Sequence, residues 1–222
     1  MKNALLLLAV AALAKPATMN EQMHAHLRHA TLARDALIQG DLDGVHRAGA
    51  ELAAVPMSAE MPDAWRPMLA ETKQVAERLA TVVDLKTASG LVGDLALTCA
   101  NCHTATGSGP SLDALPAQKW DEGAKMPLHK WSADWMWLGL IAADEAAWKR
   151  GGAELVNARL GPAFADAKPA SEGLAQLEQL VTVIGGMAVE QELDEAERAR
   201  LYGQFVGVCA QCHLKVEASG TP

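Results

Sequence analysis

Residues 84–103 read DLKTASGLVGDLALTCANCH, and residues 194–213 read DEAERARLYGQFVGVCAQCH. Each stretch opens on an aspartate, a residue suited to cap a helix N-terminus. In the first, Ala88, Val92, Leu95, Cys99 and Cys102 recur at steps of four and three. That is the period of one helix face. In the second, Tyr202, Phe205, Cys209 and Cys212 fall on one side in the same way. Both stretches close on Cys-x-x-Cys-His, and between them the two motifs use all four cysteines of the chain.

C-x-x-C-H is the signature of c-type haem attachment. The two thiols add across the haem vinyl groups as thioethers, and the adjacent histidine is then held under the iron as proximal ligand. The pattern predicts two covalently attached c-type haems, held by Cys99, Cys102 and His103 and by Cys209, Cys212 and His213. Three other uses of paired cysteines fit less well. A zinc site would use the pairs together, but they lie far apart in sequence and each carries a histidine. A thioredoxin-like redox pair would want a βαβ context, and none is visible. Structural disulfides suit an exported chain but do not need the histidine.

The helix that carries the motif belongs to a duplicated unit. Shifted by 103 positions, residues 23–52 match residues 126–155 without a gap at 11 of 30 positions, where composition alone gives about two or three. Met23 meets Met126, His26 meets His129, Asp41 meets Asp144 and Arg47 meets Arg150. A second block matches at an offset of 110, where Asp84, Leu91, Gly93 and the first motif meet Asp194, Leu201, Gly203 and the second. Residues 104–125 lie between the halves and include Thr-Gly-Ser-Gly-Pro, which is linker chemistry.

Each half reads as four helices. In the first they cover about residues 19–39, 42–54, 63–82 and 84–103, with Gly40-Asp41 ending one and starting the next. In the second the first helix carries His129, Ala133, Met136 and Leu140 on one face, and the others cover about 144–158, 171–187 and 194–213. No period-2 strand pattern is present. The expected fold is all-α, two tandem four-helix bundles over residues 19–105 and 126–215 joined by a linker over 106–125, each ending in a haem motif. Bundles this small are marginal alone, and a covalent haem would supply much of each core.

The chain has 222 residues, half of them hydrophobic, and a formal charge of −8. That charge disfavours nucleic-acid binding, which needs a basic footprint. Lys2, the apolar run over residues 4–14 and the Ala12-Leu13-Ala14 pattern form a signal-peptide layout, with cleavage expected after Ala14 or, second, after Ala17. The run is too short to span a bilayer. The expected product is an exported, periplasmic protein with no stable membrane insertion.

A haem motif at the end of a fourth helix resembles the class II cytochromes c, the cytochrome c′ and c556 type, taken here as two copies. Class I cytochromes put the motif early and a methionine ligand after it, whereas only nine residues follow His213 and none is Met. The resemblance implies that the sixth iron ligand comes from the first helix of each half. Two repeat-matched pairs qualify: His26 with His129, and Met23 with Met126. Family members usually carry a methionine there, or an apolar residue that leaves the iron open. His129 is the one histidine of the second half outside the motif, which favours bis-histidine ligation, with His/Met ligation and an open iron as alternatives. His24 and His29 lie off the stripe, His46 is read as a surface histidine, and Trp131, Trp135, Trp137 and Trp148 are read as core.

Electron transfer between redox partner proteins is the function expected of two six-coordinate haems, without enzymatic activity. A five-coordinate protein that binds NO or CO, as cytochromes c′ do, is the second reading. A di-haem peroxidase is the third, and it would need acid–base residues that the sequence does not display.

Overall fold

Short polar side chains start the helices. Asp41, Asp84, Asp144 and Asp194 each accept the backbone N–H three residues on, at 2.8, 2.7, 2.9 and 2.8 Å. Thr18 and Glu21 form a reciprocal capping box, and Asp194 with Glu197 forms another. The computed structural model describes residues 18–112, 125–157 and 170–219. Eight α-helices and no strand lie among them: α1 (Met19–Ile38), α2 (Leu42–Ala53), α3 (Arg66–Leu79), α4 (Leu85–Thr106), α5 (Lys125–Ile141), α6 (Glu145–Asn157), α7 (Ala170–Glu190) and α8 (Glu195–Ser219). The fold is all-α, as expected. A single 3-10 turn, Asp63–Trp65, precedes α3. The expected signal peptide, residues 1–14, and most of the expected linker lie outside the described residues.

The two halves end their first helix in the same way. Gly40 N–H donates to Leu37 O and Asp41 N–H to Ala36 O; Ala143 N–H donates to Leu140 O and Asp144 N–H to Gly139 O. This is the double bond pattern of a Schellman stop. It needs a left-handed residue, which is Gly40 at φ +77° in the first half and Ala143 at φ +53° in the second.

In the first half α1 packs on α2, α2 on α3, α3 on α4 and α4 back on α1; α5 to α8 repeat that circuit. The apolar stripes face inward. Ala30, Ala33, Leu37, Ala88, Val92 and Leu95 are buried in one half, and Ala133, Met136, Leu140, Tyr202 and Phe205 in the other. Each large side chain so buried contributes roughly 2 kcal/mol. Trp131, Trp135, Trp137 and Trp148 are all core.

The halves are not two beads on a linker. One continuous apolar core runs through both. Its centre is the contact between α4 and α8. A Cβ at Gly93 would sit 2.3 Å from Ala199 O, and one at Gly203 would sit 2.7 Å from Ser89 O. Gly93 matches Gly203 in the repeat, and Ser89 matches Ala199. The contact is therefore reciprocal, as an isologous interface is between two subunits. The first helices meet under the same symmetry. Trp137 Nε1–H donates to Thr31 Oγ1 at 3.2 Å, and at the matching positions the Arg34 guanidinium donates to Asp134 Oδ1 at 2.6 Å. Arg34 is 1% exposed and also pairs with Asp35, so this buried cation ties the halves together with both carboxylates for company.

His46 departs from its sequence reading as a surface residue. It is half-buried on α2, and its Nε2 donates to Val82 O at 2.6 Å. That bond holds α2 against the turn leading into α4.

Candidate functional site

The i, i+3 spacing brings both thiols of each motif to one side of their helix. In α8, Cys209, Cys212 and His213 line a cavity of about 450 Å³ together with His129, Met126, Pro127, Lys130 and Ala133 from α5. Leu177, Glu178 and Val181 of α7 form another wall, and Ile38 and Gln39 at the end of α1 complete it. The volume falls in the range of cofactor pockets, and the lining is mostly apolar with a few polar groups, as such pockets are. The four residues predicted to hold the second haem thus share one cavity. Met126, the alternative ligand, lines it too.

The first half is arranged differently. Cys99, Cys102 and His103 share a face of α4, but His26 lines a separate cavity of about 400 Å³ between α1, the end of α2 and α3. Cys99, Cys102 and His103 are not among the residues around it. His26 itself is suited to bind a metal. Burial, with a smaller push from nearby His29, lowers its pKa to about 4, so the ring is neutral at pH 7 and keeps a lone pair. His29 is engaged elsewhere, its Nδ1 lying 3.0 Å from Glu51 Oε2, and His24 is exposed.

The thiols are free in all four positions. Burial, helped by the neighbouring cysteine, pushes Cys99 and Cys209 up to about 12, and burial also raises Cys102 and Cys212. A haem iron asks the protein for one or two axial donors only.

The motif histidines carry the detail the sequence did not reveal. His103 Nδ1 is 2.8 Å from Ile141 O. A carbonyl can only accept, so Nδ1 bears a proton, which leaves Nε2 as the nitrogen that would reach an axial position. Ile141 ends α5, in the other half. Backbone carbonyls leave no mark in sequence, so no motif could have found it. No family model, curated protein or solved structure matches this chain.

Proposed function

We propose that the chain is an exported di-haem c-type cytochrome, built as tandem four-helix haem domains, that passes electrons between redox partner proteins. The observation that carries the reading is the second cavity: two thiols, a proximal histidine and a second histidine face one apolar space of about 450 Å³. Cys99, Cys102 and His103 would hold one haem and Cys209, Cys212 and His213 the other, with His26 and His129 as distal ligands. The haem iron, once bound, supplies a one-electron ferric/ferrous couple. The residues keep the second site mostly apolar and bring His129 and His213 to it as the two imidazoles for the axial positions. A fixed coordination sphere leaves little to reorganise on electron transfer. The N-terminal signal layout supports a periplasmic location, where c-type haem is attached.

One observation favours the gas-binding alternative for the first site. His26 opens onto a cavity that its own motif does not line, which suits an iron left open there.

The test is an intact mass followed by visible spectra. The purified protein should exceed its polypeptide mass by two haems, and C209A/C212A by one. The ferrous protein should be low-spin and unreactive to CO, and H129A should let CO bind the second haem. Mass equal to the bare polypeptide would sink the whole reading. CO bound at one haem of the wild type, retained in C209A/C212A, would assign an open iron to the first site.

A further inference from the structure

We propose that each half positions the haem ligand of the other: the carbonyl that ends α5 orients His103, and the carbonyl that ends α1 orients His213. The inference rests on the di-haem reading, because it concerns what fixes the proximal imidazoles.

One arm is formed already, with His103 Nδ1 donating to Ile141 O at 2.8 Å. Apart from that bond, the turn bonds at this helix end go to Leu138 O, Gly139 O and Leu140 O. In the repeat, His103 matches His213 and Ile141 matches Ile38. His213 Nδ1 is buried and has no hydrogen-bond partner. Ile38 and Gln39 line the same cavity as His213. The next residue, Leu214, touches the same turn: a Cβ on Gly40 would meet its side chain at 2.9 Å. A buried polar nitrogen without a partner is unfavourable, so His213 Nδ1 and the end of α1 are natural partners. Rotation of the ring within this shared cavity would join them.

The spacing makes this a property of the duplication. His26 precedes Ile38 by twelve residues, and His129 precedes Ile141 by twelve. Each first helix therefore carries the distal histidine of its own half near its start. Some 18 Å further on, at about 1.5 Å per residue, it carries the acceptor for the other half's proximal histidine. That acceptor sits at the negative end of a helix dipole. It fixes the imidazole tautomer and increases its electron donation to the iron, which favours the ferric state. The two haems are thus each tuned across the α4–α8 contact, and neither half is a complete site without its twin.

Proline substitution tests the carbonyl directly, because a residue before proline is driven out of the α region and its carbonyl turns away. Ala142→Pro turns Ile141 O and lies in the second half. Read in a C209A/C212A background that holds only the first haem, it should raise that haem's reduction potential and shift its ferric EPR signal. Gln39→Pro, read with C99A/C102A, should do the same to the second haem. The matched control is each proline read on its own half's haem, which should move less. Smaller effects on the opposite haem than on the proline's own haem would overturn the proposal. Should either variant fail to fold, 15N-histidine NMR of the reduced wild type decides. The His103 Nδ1 proton should exchange slowly and show contacts to Ile141 and Ala142, and that of His213 to Ile38 and Gln39. Rapid exchange, or contacts within the own half only, would refute it. A protein of bare polypeptide mass would instead be a failure of the haem reading, seen before either test begins.

Discussion

Gly93→Ala puts one methyl group where α4 and α8 touch. Its Cβ would lie 2.3 Å from Ala199 O, a carbonyl on rigid helix backbone, against the 3.0 Å below which such contacts essentially never occur. The helices must separate by at least the difference. A gap approaching 1 Å forfeits a quarter to a half of the dispersion energy across the faces that open. Those faces include Ser89, Ala199, Gly203 and Gly207, which meet across the contact. Overpacking of this kind costs about 1–3 kcal/mol, while Gly to Ala within a helix gains about 1 kcal/mol of propensity. The contact is with backbone, which does not yield cheaply, so the upper half of that cost applies and the net expectation is a loss of roughly 1–2 kcal/mol. Gly90 lies three residues away on the same helix with nothing within 4 Å of its would-be Cβ. The same substitution there should stabilise by about 1 kcal/mol. Urea unfolding of the haem-loaded protein, with unchanged slope, reads both midpoints. If Gly93→Ala unfolds at the same or higher urea than wild type while Gly90→Ala behaves as expected, the halves do not meet through this glycine.

Ala143 holds φ +53° where its twin is Gly40. Ala143→Gly should therefore stabilise by about 1 kcal/mol, read as a raised urea midpoint. In the haem-free chain, where no iron takes its lone pair, His26 makes stability depend on pH. Its folded value of about 4 lies below the ordinary 6.5, so between these values the unfolded chain binds a proton that the folded chain does not. The contribution is complete above pH 6.5 and is lost as pH falls towards 4, by roughly 3 kcal/mol. Unfolding midpoints of wild type and His26→Gln should converge across that interval, and parallel curves would mean the ring is not buried in the neutral form.

Much of the architecture was legible locally. Asp84 and Asp194 sit at the predicted helix starts because capping depends only on neighbours in sequence. The stripe Ala88, Val92, Leu95 was readable because helical period and burial coincide. The pairing of His129 with the second motif followed from repeat position, and the two line one cavity. His26 shows the limit of that logic. It occupies the same repeat position, yet it lines a cavity away from its motif, since the wall residues of the two halves differ. His46 was missed because its partner is Val82 O, 36 residues on.

What the sequence alone determined is chemistry and period: all-helical segments, their starts and stops, a duplicated plan, and two thiol pairs each followed by histidine. These are set by neighbours within one or two helical turns. Tertiary structure decided how the halves meet. The match of Gly93 to Gly203 was visible as letters, but its reason is a backbone approach between α4 and α8. The bond from His103 to Ile141 O joins groups 38 residues apart. A carbonyl has no residue type of its own, so only the packing of one half against the other could bring it to the ring.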